Sequence, residues 1–223
     1  MGGIQDYFAQ FAHIEADPEH DAEIERYEAE QAALERAEYF KKSGVPERYQ
    51  RESLDTYKAE TEPQKKLLAA ARDFLQKIKR RLFRSLCMLG SAGTGKTHLA
   101  CALIKEYGGK YRTAPDIVEE LRRAKSFTAH ETEEQIVSYY GGVSLLVIDE
   151  IGRGFSAADE KYMLYQVLNA RYNTRKPTVL ISNFNKADFL QYIGVAAADR
   201  LVESADIVEI EGASYRRELR GQL

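Results

Sequence analysis

Gly90-Ser91-Ala92-Gly93-Thr94-Gly95-Lys96-Thr97 is the stretch that decides how this chain is read. It fits the phosphate-loop pattern G-x-x-x-x-G-K-[ST]. The apolar run Leu86-Cys87-Met88-Leu89 before it has the character of a buried strand. His98-Leu99-Ala100-Cys101-Ala102-Leu103-Ile104 after it has the character of a helix. Strand, loop and helix in that order are the context in which the motif works. Its glycines let the backbone turn so that N–H groups point inward at a phosphate. The helix that opens there adds its positive end. Gly90 through His98 are therefore the candidate nucleotide-binding residues. Lys96 is expected to reach the β- and γ-phosphates, and the Thr97 hydroxyl to ligand a Mg²⁺ ion.

A second apolar run, Val143-Ser144-Leu145-Leu146-Val147-Ile148, ends in Asp149-Glu150. A strand apolar on both faces belongs to a parallel sheet covered by helices. Ligands of such sheets gather beyond the carboxyl ends of the strands, which places Asp149 and Glu150 beside the phosphate loop. Asp149 fits the Walker B role of metal ligand with Thr97, and Glu150 fits a water-activating base. Two carboxylates at a strand end also suit the cap of a following helix. The run Thr178-Val179-Leu180-Ile181-Ser182-Asn183 ends in an amide, which either orients the attacking water or forms a turn. Lys110–Thr113 and Asp206–Ile210 complete five strands. Helices are expected over 64–81, 116–126, 131–140, 157–174 and 196–202, with another around Asp188–Tyr192. Thr132 with Gln135 suits a capping box. The expected fold class is α/β, a P-loop NTPase whose parallel five-stranded sheet is sandwiched by helices.

Residues 1–45 differ in character from the rest of the chain. Acidic residues are dense from Glu15 to Glu38, and Pro18 and Gly44 bracket a helix with a thin apolar stripe at Ile24, Tyr27 and Leu34. Two readings stand for this arm: a solvated segment, or a docking arm that anchors a partner through Tyr7, Phe8, Phe11, Ile14, Tyr27 and Leu34. Residues 46–63 have the punctuation of a linker, and 64–223 form the nucleotide-binding domain. The 223 residues carry a net charge of −3, so bulk charge does not announce nucleic-acid binding. Cys87 and Cys101 lack metal-like spacing and suit buried thiols in a reducing compartment. No apolar run approaches a membrane span. Residues 1–6 have no export signal, and a cytoplasmic protein is expected.

In combination these residues resemble the AAA+ ATPases of the DnaC/DnaI helicase-loader group, which also contains the IstB transposition helpers. The strings that carry the resemblance are Ser43-Gly44-Val45-Pro46, Gly95-Lys96-Thr97-His98-Leu99-Ala100, Leu145-Leu146-Val147-Ile148-Asp149-Glu150-Ile151-Gly152, Lys176-Pro177-Thr178, Asp199-Arg200-Leu201 and Ser214-Tyr215-Arg216. The resemblance covers about residues 39–217. The resemblance implies a catalytic role for Arg200 as an arginine finger acting in trans on a neighbouring subunit's ATP, and for Arg216 as a sensor of the γ-phosphate. It also implies self-association through the AAA+ domain, a replicative DnaB-type helicase as partner of the N-terminal arm, and no C-terminal lid domain. Single-stranded DNA would be met between the second strand and the Walker B strand, where Arg122, Arg123 and Lys125 lie with Tyr139 and Tyr140 for stacking. Those cations equally suit a solvated helix face. Loaders of this group often carry an arginine where this chain has Ala196. The expected function is that of an ATP- and Mg²⁺-dependent helicase loader. An IstB-like transposition helper and a weakly hydrolysing ATP-binding adaptor remain as alternatives.

Overall fold

Alternate residues of the apolar runs serve two different cores. In β1 (Ser85–Gly90), Leu86 and Met88 join one buried cluster while Cys87 and Leu89 join the other. This is the two-residue period of a strand buried on both faces. The structure, a computed structural model, describes residues 37–126, 129–154 and 157–212, together with 26, 27, 30, 31 and 34.

The other strands are β2 (Lys110–Thr113), β3 (Leu146–Ile151), β4 (Thr178–Ser182) and β5 (Ala205–Ile210). All pairings are parallel, in the order β2-β3-β4-β1-β5. One face is covered by α1 (Glu62–Lys79) and α2 (Lys96–Tyr107), through Leu67, Phe74, Leu99 and Leu103. The other is covered by α3 (Ala114–Arg123), α4 (Glu133–Gly142), α5 (Ala157–Asn173), α6 (Lys186–Ile193) and α7 (Val195–Ser204), through Ile117, Tyr140, Val167, Phe189 and Leu201. The fold class is the expected three-layer α/β sandwich. No lid domain follows β5 among the described residues.

Helix starts are set by side chains. Thr61, Thr113 and Thr132 each accept from the backbone three residues on, and Gln64, Asp116 and Gln135 reply to the cap backbone. Each box satisfies orphan N–H groups. The box at Thr113 moves the start of α3 from expectation, to Ala114. At its other end α4 also departs, running through Gly141 and Gly142 instead of ending before them.

The chain divides after Tyr39 into two units. In the first, the described residues are helical, and Tyr27, Leu34 and Tyr39 are exposed. Tyr7, Phe8, Phe11 and Ile14 lie outside the described residues. In the second, residues 46–63 depart from the expectation of a linker. A short 3-10 turn at Glu47–Tyr49 is followed by Leu54 and Tyr57, both buried in the cluster with α1 and α2. Burying two large side chains outweighs the freedom of a tether.

A buried cation joins the second layer. Arg171 on α5 is 1% exposed and donates to the carbonyls of Tyr140 (2.5 Å), Val143 (3.0 Å) and Pro177 (2.5 Å) and to Thr178 Oγ1 (2.8 Å). Burial pulls its guanidinium down to about 9. Arg171→Met would strand these acceptors without a donor. The expected cost is about 2–4 kcal/mol, seen as a lower denaturant midpoint at unchanged slope.

Candidate nucleotide site

The phosphate loop leaves β1 at Gly90 and enters α2 at Lys96. Gly93 and Gly95 have φ of 83° and 88°, the left-handed region that glycine enters without strain. A side chain at Gly95 would also collide with the ring of Tyr57. Tyr57 closes over the loop and donates from its hydroxyl to the Thr94 carbonyl at 2.8 Å. Lys96 is 5% exposed, and its ammonium donates to the carbonyls of Gly90 and Ser91, each at 2.7 Å.

Asp149 ends the apolar part of β3 and is 4% exposed. One oxygen accepts from Thr97 Oγ1 at 2.8 Å and from the Tyr111 hydroxyl at 2.9 Å. The other accepts from the Glu150 N–H at 2.6 Å. Burial, with the Asp149 charge beside it, pushes the Tyr111 hydroxyl far above its ordinary value. Tyr111 therefore stays a donor. Asp149 and Thr97 offer only oxygen ligands and sit in hydrogen-bond contact, a donor set that suits Mg²⁺ sharing phosphates and waters. No cluster of three or more His, Cys, Asp or Glu able to hold a metal occurs among the described residues.

Glu150 has φ of +59° and occupies the irregularity where β3 slips against β4, between the pairs Ile148–Leu180 and Ile151–Ser182. A bulge re-aims a side chain that regular pleating would have turned elsewhere. Here it brings Glu150 to a cavity of about 410 Å³ that it shares with Lys96, Thr97, Asp149, Arg153 and Asn183. Asn183 follows β4 directly and is exposed to that cavity. Tyr49, Glu52, Thr56 and Lys58 form a further wall of it. His98 ties that wall to α2: its ring nitrogens lie 2.9 Å from the Ser53 carbonyl and 3.4 Å from Glu52 Oε2.

The sequence-derived set thus divides. Gly90–His98, Asp149, Glu150 and Asn183 come together at one end of the sheet. Arg200 does not join them. It lies on α7 near Ser85 and Thr178, at the starts of β1 and β4. That is a strand length, roughly 16 Å, from the loop that leaves the other end of β1. It donates to the Ala196 carbonyl at 2.7 Å and lies over the rings of Tyr165 and Tyr172. Arg216 lies outside the described residues. Arg122, Arg123 and Lys125 are each paired, with Asp159, Glu119 and Glu133. Tyr139 is exposed, but Tyr140 is fully buried and donates to Glu120, so it is not open to a stacked base. Cys87 and Cys101 are buried, free thiols, pushed up by burial, Cys87 to about 12.

The model of the IstB-like ATP binding proteins matches residues 20–222. The chain belongs to this family. It is 29% identical over 201 residues to the replicative helicase loader DnaC of Escherichia coli, covering 87% of this chain and 81% of that one. It is 32% identical over 143 residues to a putative ATP-binding protein of insertion sequence IS232 from Bacillus thuringiensis, covering 59% of this chain and 55% of that protein. A crystal structure of the DnaC helicase loader superposes with a TM-score of 0.66 over 74% of this chain and all of that one, at 22% identity. That likeness establishes the shared P-loop fold.

Sequence reasoning missed the wall from Tyr49 to Lys58, together with Tyr111, Arg153 and Glu160. No local pattern marks the wall, because its ties run across some forty positions of chain. Tyr111 had a signal in retrospect, a hydroxyl in the middle of a short strand paired with the Walker B strand.

Burial pushes the Tyr57 hydroxyl up to about 12, whereas an unfolded chain releases that proton near 10. Between about pH 10 and 12 the folded chain holds the extra proton. This contribution to stability is whole below about pH 10 and is lost as pH rises through that window. Tyr57→Phe removes the titrating group. Its denaturant midpoint is expected to fall less steeply than wild type over that range.

Proposed function

We propose that this chain is an ATP-dependent loader of a replicative DNA helicase, and that its nucleotide site is completed by a neighbouring copy. The observation that carries the reading is the split of the site: the phosphate loop, Asp149 and Glu150 converge at one end of the sheet, and Arg200 stands at the other. The likeness to helicase loaders over most of the chain supports the choice of substrate.

In this reading the loop N–H groups and the Lys96 ammonium hold the phosphates of ATP. Thr97 and Asp149 would hold Mg²⁺, which would supply positive charge against the phosphates. Glu150 takes a proton from water as the water oxygen attacks the γ-phosphorus and the bond to the β-phosphate oxygen breaks. Asn183 orients that water. Arg200 of a second copy supplies positive charge to the transferring group, and Arg216 senses the same phosphate from within the chain. Tyr49, Thr56 and Lys58 face the base and ribose. The acidic arm docks the helicase, and the chain works in the cytoplasm. Single-stranded DNA is met at the α3–α4 side. The ion pairs of Arg122, Arg123 and Lys125 would have to open there, which lowers the affinity of that contact.

The similarity to an insertion-sequence ATP-binding protein favours a second reading, a transposition helper. Gel filtration of the intact chain with ATP and the replicative helicase of its host separates the two. A stable complex is expected; free elution of both proteins refutes the loader. Complementation tests the shared site. Arg200→Ala lacks the cation and Glu150→Gln lacks the base, so each alone should hydrolyse ATP at under about a tenth of the wild-type rate. Their mixture should recover activity, because one partner keeps the live site and the other keeps the cation. No recovery on mixing refutes action in trans.

A further inference from the structure

The turn after β3 is built with more care than a connection needs. The Arg153 N–H donates to the Glu150 carbonyl at 3.1 Å and closes the turn. Glycines flank Arg153 on both sides, each with a close neighbour where a side chain would stand. A Cβ on Gly152, whose φ is 90°, would collide with the ring of Phe184, and one on Gly154 with the carboxylate of Glu160. Glu160, on the first turn of α5, is fully buried. Its two oxygens accept from the N–H groups of Gly152 at 2.8 Å and Gly154 at 2.9 Å. A buried carboxylate is kept only where its lone pairs are taken up, and here both oxygens grip the residues on either side of Arg153.

The Arg153 side chain faces the nucleotide cavity and meets Glu150, with Nη1 to Oε1 at 3.2 Å. Both members of this pair are about half exposed, 55% and 43%. An ion pair that open to water contributes little to folding, so stability does not explain the pinned loop beneath it. A backbone clamped by a buried carboxylate, presenting one guanidinium to one carboxylate, is the arrangement that fixes the direction of a reacting group.

We propose that Arg153 is a positioning residue for Glu150, held in place by Glu160, so that the chain orients its own base before any neighbour arrives. This rests on the reading of Glu150 as the base. Arg153 acts on the carboxylate and not on the nucleotide.

The test is single-turnover hydrolysis and equilibrium ATP binding by the full-length chain with Mg²⁺ and a single-stranded oligonucleotide. Arg153→Ala should lower the hydrolysis rate about 10- to 100-fold, the loss expected when a reacting group is misdirected, with ATP affinity within about twofold of wild type. Arg153→Lys should recover part of the rate. Glu160→Gln should act in the same direction, and the double variant should be no slower than Arg153→Ala alone. Should Glu160→Gln not fold, the exposed Arg153 variants carry the test. An unchanged or raised rate in Arg153→Ala, or weakened ATP binding, overturns the proposal. Glu150→Gln is the control for the reading beneath it. If that variant hydrolyses ATP like wild type, or wild type does not hydrolyse it, the assignment of Glu150 has failed and the positioning role with it. If Glu150→Gln is inactive and Arg153→Ala is normal, only the positioning role has failed.

Discussion

A single buried carboxylate holds the working end of this molecule together. Asp149 is almost removed from water, and an ionised group there is tolerated only if its oxygens are bonded. The three donors come from three elements: Thr97 from the phosphate-loop helix, Tyr111 from the edge strand, and the Glu150 backbone from the bulge itself. The same contacts that stabilise the buried charge therefore fix the distance from loop to Walker B strand. They also anchor the backbone from which Glu150 departs.

The positions of the other groups follow from that anchor and the sheet. Parallel strands deliver their ends to the same side, so the loop after β1, the carboxylates of β3 and the amide after β4 meet without long connections. The bulge in β3 turns Glu150 into the cavity, and the loop gripped by Glu160 sets a cation beside it. The sheet also explains where Arg200 is. α7 runs straight into β5, so its residues lie at the starts of the strands, at the end of the sheet away from the phosphate loop. In the proposed function, self-association is what would bring that arginine to a phosphate.

Much of this was legible in the sequence because its causes are local. The phosphate loop is contiguous, the five strands are short apolar runs, and Thr132 with Gln135 announces its own helix start. The rest depended on contacts distant in sequence. Tyr57 reaches Thr94, and His98 reaches Ser53, only after α1 has crossed the sheet, so residues 46–63 carried no sign of being a wall of the site rather than a linker. Tyr139 and Tyr140 looked equally available for stacking; one position on a helix decides which ring turns inward. The bulge at Glu150 is invisible because a left-handed glutamate has no sequence signature. Gly152 and Gly154 were visible, but Glu160, which gives them a purpose, reads as an ordinary helix-start acid.

The central claim is that Gly90–Thr97 with Asp149 forms a site for a nucleoside triphosphate. Calorimetric titration of ATP with Mg²⁺ into wild type and Lys96→Ala tests it most directly. The predicted result is one site in the wild type and a loss of affinity of about 100-fold or more on removing the ammonium, about 2.7 kcal/mol. Equal affinity in the two proteins would contradict it.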